Sequence, residues 1–191
     1  MIDEKIIIAG FGGQGALRIG QIIAQAAIRK GLEAEWLPSY GAEMRGGTAN
    51  CHVTISDREI TFPMIKHADT CIIMNDLSLD KFEQSLVPGG ILIINSDIVT
   101  KKITRKNIEL YKVPADTMAW DEGNHKGANM ALLGAYVALS GIIDIERVCN
   151  LVRESFTGAK AGFADSNVNL IKAGGDFIKN GLWEGSDGQE I

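Results

Sequence analysis

Glycines and one arginine are the residues whose types and spacing suggest chemistry. Gly10-Phe11-Gly12-Gly13-Gln14-Gly15 follows the apolar run Ile6-Ile7-Ile8-Ala9 and opens into a helical pattern. It reads as a strand, a tight turn and a helix start, where free N–H groups favour a phosphate. Gly10, Gly12 and Gly15 fit the G-x-G-x-x-G spacing of dinucleotide-binding turns. Gly10 and Gly15 also have P-loop spacing, but Ala16 and Leu17 stand where a lysine and a serine or threonine would hold phosphates and magnesium, which argues against an NTPase. A second unusual stretch, Ser39-Tyr40-Gly41-Ala42-Glu43-Met44-Arg45-Gly46-Gly47-Thr48, follows the second expected strand. Arg45 beside two glycines offers a planar donor fork next to exposed amides, suited to phosphate or carboxylate. The plainer alternative is an Arg45–Glu43 surface pair on a turn. Two such turns after successive strands should converge on one edge of a sheet.

Other chemistry is thinly represented. Cys51, Cys71 and Cys149 are widely spaced, form no C-x-x-C and each sit in an apolar stretch, so buried thiols are expected in place of a disulfide, zinc site or iron–sulfur ligand set. Asp121, Glu122 and His125 suggest metal ligands, but acids facing the dipole of a helix start explain them more cheaply. His52 reads as a half-exposed strand residue, and Lys101, Lys102, Arg105 and Lys106 as a solvated basic loop. In dinucleotide sites an acid about 20 residues after the glycine turn holds the ribose. Glu35 has that distance, but Trp36-Leu37-Pro38 follow it, so a ribose contact and a solvent-facing strand residue both remain open.

The elements that must position these residues follow from periodicity. Apolar residues at helical spacing predict a helix over 14–30, stopped by Gly31, and a short strand over 33–37 closed by Pro38. Alternation over 49–56 and a return strand over 59–62 predict an inserted hairpin. Continuous apolar runs over 70–75 and 91–95, joined by a helix over 78–86 and the Pro88-Gly89-Gly90 turn, predict a βαβ unit, with a last strand over 108–113. Residues 116–124 read as irregular; helices over 126–140, 145–156 and 166–180 follow. The expected fold is α/β and Rossmann-like: a mostly parallel sheet with flanking helices and an inserted β-hairpin, one domain over 1–182 with a loose acidic tail over 183–191.

The chain has 191 residues, a net charge of −5 and 46% hydrophobic residues, which suits one globular domain and gives no electrostatic reason to expect nucleic acid. The N-terminal Asp3-Glu4 is acidic where an export signal needs basic residues, and the apolar run after it is too short to span a membrane. A cytoplasmic protein is expected.

Taken together, Gly10 to Gly15, Tyr40-Gly41-Ala42-Glu43-Met44-Arg45-Gly46-Gly47, the Pro88-Gly89-Gly90 turn, and Asn129-Met130 with Leu133-Gly134-Ala135 resemble the gamma subunit of 2-oxoacid:ferredoxin oxidoreductases, in the expected order over nearly the whole chain. The resemblance implies oxidative decarboxylation of a 2-oxoacid with coenzyme A, giving acyl-CoA, carbon dioxide and reduced ferredoxin. It places thiamine diphosphate between the alpha and beta subunits and iron–sulfur clusters on beta or a delta chain, and associates the gamma part with coenzyme A and subunit contacts. Carried over residue by residue, Gly12, Gly13, Gln14 and Gly15 would form the first binding turn and Tyr40, Glu43, Arg45, Gly46 and Gly47 the second. No catalytic residue and no metal ligand are expected, since the chain has no nucleophile or acid–base set of its own. Selection among 2-oxoacids would fall mainly where thiamine is held, on other chains. Two other readings compete: a self-sufficient NAD(P)- or flavin-dependent oxidoreductase with Glu35 on the ribose, and an assembly module that binds only protein.

Overall fold

In a computed structural model, residues 1–40, 48–61 and 64–182 are described. The second glycine-rich turn from Gly41 to Gly47 and the expected tail over 183–191 lie outside them. The elements run β1 (Asp3–Phe11), α1 (Ala16–Arg29), β2 (Glu33–Tyr40), β3 (Thr48–Ser56), β4 (Ala68–Ile73), α2 (Asp76–Phe82), β5 (Leu86–Asn95), β6 (Glu109–Val113), α3 (Ala115–Asp121), α4 (Ala128–Ser140), α5 (Ile145–Ser155) and α6 (Ala164–Lys179). Six strands form one sheet in the order β2, β3, β1, β4, β5, β6. The pairs β1–β4, β4–β5 and β5–β6 are parallel, whereas β2–β3 and β3–β1 are antiparallel. The expected mixed, mostly parallel α/β sheet is therefore present.

Central strand β1 is apolar on both faces because both are covered. Ile6 and Ile8 point to the side packed by α1, α4, α5 and α6, while Ile7 and Ala9 point to the side packed by α2. Burying each of these isoleucines contributes about 2 kcal/mol. The chain leaves β1 for a helix on one face and β4 for a helix on the other. The crevice beyond the carboxyl ends of these neighbours is thus a topological switch point, where ligands of open α/β sheets bind.

Three elements differ from the expectation. The hairpin is β2–β3, with Pro38 opposite Cys51, and residues 59–61 form no strand. Pro38 does not close β2, because an outermost strand has only one neighbour and loses nothing by lacking an N–H on its free side. Pro88-Gly89-Gly90 lies inside β5, where the register shifts: Leu86 pairs with Ala68, but Ile91 with Thr70. Residues 116–121, expected to be irregular, belong to helix α3.

The small residues of α4 face α6. A Cβ on Gly134 would lie 1.9 Å from the Ile171 carbonyl oxygen, and one on Gly174 would lie 1.9 Å from that of Ala131. The helices therefore touch backbone to backbone, an approach that only glycine permits at both positions. Cys51, Cys71 and Cys149 are buried free thiols, and burial pushes Cys51 and Cys71 up to about 12. Among the described residues no group of histidine, cysteine and carboxylate side chains could hold a metal ion, and no helix is long and apolar enough to cross a membrane.

Candidate functional site

The turn after β1 is held by its own side chain. Gln14 Oε1 accepts from the Phe11 N–H at 2.6 Å and from Asn75 Nδ2 at 2.9 Å, while Gln14 Nε2 donates to the Met74 carbonyl at 3.2 Å. The Gln14 N–H closes the turn on the Phe11 carbonyl at 3.1 Å. Of the four candidates in this turn, Gly12 and Gly13 are exposed, whereas Gln14 spends its amide on the protein. Gln14 shapes the site by fixing the loop.

Gly15 caps α1 in the left-handed region, at φ 84°. A Cβ there would lie 2.3 Å from Asn129 Nδ2, because the side chain of Asn129, from the first turn of α4, fills the space above it and donates to the Gly15 carbonyl at 3.5 Å. The first turn of α1 contains no acid and no side-chain cap, so the positive end of its dipole is not offset by a side chain there. Helix α4 also starts without a side-chain cap or an acid.

Between these two helix starts lies a cleft of about 150 Å³, lined by Gly13 and Gln14 of the turn, Asn95 at the end of β5, Asp116 of α3, and Lys126 and Asn129 at the start of α4. That volume accepts a fragment of a ligand, such as a phosphate, and is well below the several hundred Å³ of a pocket enclosing a whole cofactor. Asn95 Nδ2 donates to Asp116 Oδ2, which occupies that carboxylate oxygen. Lys126 is exposed and makes no ion pair among the described residues. His125, also on the wall, lies with its ring 4.2 Å from that of Trp120 and tilted by 42°, and Trp120 is 70% exposed.

The stems of the second turn stand at the same sheet end. Tyr40 pairs with Ala49, Ala49 with Gly10, and Thr48 with Phe11, so the connection containing Glu43, Arg45, Gly46 and Gly47 leaves the sheet beside the first turn. Those four residues lie outside the described ones. Glu35 is not brought to the site. It pairs with Thr54, which pairs with Lys5; Lys5 stands six residues, or about 20 Å, before Phe11 on β1, and β3 lies between. A ribose at the glycine turn is out of its reach.

Other sequence candidates resolve into structural roles. Asp121 and Glu122 stand at the end of α3 and not at the start of α4, so the dipole explanation does not hold; Glu122 accepts from Asn169 Nδ2 at 2.8 Å instead. The basic loop is tied down by two carboxylates. Asp76 Oδ1 accepts from the N–H groups of Thr100 and Lys101 at 2.9 and 3.0 Å, and Glu83 accepts from those of Thr104 and Arg105, while Lys101 also pairs with Asp80. His52 is half-buried, and burial, with Lys81 nearby, holds its imidazole below the ordinary value.

Sequence reading missed Asn75, Asn95, Asp116 and Lys126 as site residues. The two asparagines carried a local signal, since each ends an apolar strand run on the carboxyl side, where an α/β crevice opens.

A family model described as pyruvate ferredoxin/flavodoxin oxidoreductase matches residues 5–177. The ketoisovalerate oxidoreductase subunit VorA of Methanothermobacter marburgensis is 38% identical over 94% of this chain, which spans 37% of that relative's length. The 2-oxoglutarate synthase subunit KorC of the same organism is 31% identical over 93% of this chain and 98% of its own length. Among solved structures, the keto/oxoacid ferredoxin oxidoreductase gamma subunit from Geobacter sulfurreducens superposes with a TM-score of 0.80 at 31% identity, covering 93% of this chain and 99% of that one.

Proposed function

The chain belongs to the pyruvate ferredoxin/flavodoxin oxidoreductase family, and from that premise we propose that it is the gamma subunit of a 2-oxoacid:ferredoxin oxidoreductase complex. In this reading residues 1–182 form one Rossmann-like domain in the cytoplasm, and the complex converts a 2-oxoacid and coenzyme A to acyl-CoA and carbon dioxide with reduction of ferredoxin. Alpha and beta subunits, with or without delta, carry thiamine diphosphate and the iron–sulfur clusters. The similarity to KorC over nearly all of its length supports a subunit role.

The observation that carries the proposal is the meeting of two uncapped helix starts with Lys126 at the switch point. Exposed N–H groups and an exposed ammonium suit a phosphate of coenzyme A. When bound, coenzyme A supplies the thiol that accepts the acyl group. The role of this chain is to hold the phosphates: Gly12, Gly13 and Gly15 through backbone, Lys126 and Arg45 through charge, with Gln14 fixing the turn and Tyr40, Glu43, Gly46 and Gly47 contributing as the second binding turn. The competing dinucleotide reading loses its acid, because Glu35 lies far back along the edge hairpin.

The test is kinetic, in the assembled complex. Lys126→Ala and Arg45→Ala should each raise KM for coenzyme A about tenfold, the value of one charge-assisted hydrogen bond, with kcat and subunit stoichiometry held. Unchanged KM in both variants, with intact assembly by size exclusion, would remove coenzyme A from this edge. Stabilisation of the chain by NAD(P) but not by coenzyme A in a thermal-shift series would favour the dinucleotide reading.

A further inference from the structure

We infer that Asn75 and Asp76 join three loops of the carboxyl edge into one cooperative unit, so that the connection after β5 helps to hold the glycine turn after β1. The two side chains are consecutive at the start of α2 and reach in opposite directions. Asn75, 2% exposed, donates to Gln14 Oε1 at 2.9 Å and accepts the Ser78 N–H at 2.8 Å, capping α2. Asp76 accepts from the Thr100 and Lys101 N–H groups at 2.9 and 3.0 Å and from Thr100 Oγ1 at 3.0 Å. Gln14 in turn holds the Phe11 N–H and the Met74 carbonyl.

Two sets of hydrogen bonds, Phe11–Gln14–Asn75 and Asp76–Thr100, therefore meet at the consecutive residues Asn75 and Asp76, joined by the backbone at the start of α2. The connection after β5 is also held by Glu83 and Asp80, but its hydrogen bonds to Asp76 are the ones that lead towards the glycine turn, so loosening the α2 start removes a restraint from both. Such contiguous sets open together in the native state. The linkage works in both directions, because coupling free energies are reciprocal. In physical terms, the shape that the glycine turn offers a ligand depends on a loop 24 residues downstream of α2's first residue.

Residue-resolved hydrogen exchange of the full chain, without ligand, tests this. Asp76→Ala should speed exchange at Thr100 and Lys101 about fivefold, the worth of one net hydrogen bond. It should also speed exchange at Phe11 and Gln14 at least about twofold, the low end of coupling between packed elements. Asn75→Asp keeps the cap on Ser78, since aspartate caps as well as asparagine, but loses the donor to Gln14. It should speed Phe11 and Gln14 strongly and Thr100 and Lys101 by the same smaller factor. Acceleration confined in each variant to the loop it touches would overturn the inference. Thr100→Val, which removes only the hydroxyl bond to Asp76, provides a milder third variant and should move Phe11 and Gln14 in the same direction. Since no coenzyme or partner is present, the outcome stands apart from the kinetic test of Arg45 and Lys126.

Discussion

Replacing Gly15 by alanine separates two costs that the structure superimposes at the edge of the cleft. The first is conformational: at φ 84° an L side chain costs about 1–2 kcal/mol. The second is steric, because the new Cβ would stand 2.3 Å from Asn129 Nδ2 and 2.9 Å from Asn129 Cγ. Asn129 must swing away, losing its bond to the Gly15 carbonyl and leaving a buried amide to find another partner, at about 1 kcal/mol or more. Gly15→Ala should thus destabilise the chain by about 2–3 kcal/mol. In an Asn129→Ala background the nearest remaining atom is the Cβ of residue 129, at 3.3 Å, so only the conformational part should survive. Urea unfolding of the four proteins, followed by far-ultraviolet circular dichroism, gives the cycle, and the coupling should be about 1 kcal/mol with Gly15→Ala cheaper when Asn129 is absent. Equal costs in both backgrounds would show that Asn129 does not press on the turn. No cost in either would refute the left-handed cap itself.

Two further perturbations test the packing and the charges beneath the site. Gly134→Ala and Gly174→Ala each force α4 and α6 apart, from 1.9 Å towards an ordinary contact. Overpacking of about 3 kcal/mol, reduced by about 1 kcal/mol of gained helix propensity, predicts a net loss near 2 kcal/mol and a Tm lower by about 4–8 °C. The double variant should cost less than the sum, because one separation relieves both clashes, while Gly162→Ala, which meets open space, serves as an unperturbed control. A rise in Tm for either helix variant would contradict the backbone contact. Glu4, whose Oε1 accepts from Thr70 Oγ1 at 2.7 Å, has its carboxyl raised above the ordinary value chiefly by burial, a shift that the Thr70 bond opposes. A carboxyl raised on folding favours the native state while protonated and loses that contribution as pH rises through its folded value. Glu4→Gln should therefore raise Tm at pH 7 relative to the parent and do so less at pH 4; a pH-independent difference would refute the burial argument.

Features written in a few adjacent residues are legible in the sequence alone. The run Ile6-Ile7-Ile8-Ala9 followed by Gly10 to Gly15 indicates strand, turn and helix because a doubly covered strand, a left-handed cap and an amphipathic helix each leave a local pattern. The buried thiols are legible for the same reason, whereas the basic loop, expected to be solvated, is held by Asp76 and Glu83 from elsewhere in the chain. The family is legible too, in the order of its glycine motifs, and the family model confirms it. Strand pairing is not: β2 and β3 are a hairpin around the unusual 41–47 connection, and Pro38 closes a strand or rides on its edge according to a neighbour that sequence does not name.

By itself, then, the sequence determined that this chain is an α/β protein with a glycine-rich turn between its first strand and first helix. Tertiary structure decided which groups face the crevice. Gln14 sits inside the glycine motif, yet its amide turns inward to Phe11, Met74 and Asn75. Asn129 is 114 residues from Gly15 yet roofs it, and Glu35 has the expected spacing yet lies on the wrong strand level. The physical reason is common to all three. Propensity and periodicity act over a few residues, whereas the direction of a polar side chain is chosen by whichever unsatisfied donors and acceptors the sheet order brings within hydrogen-bond reach.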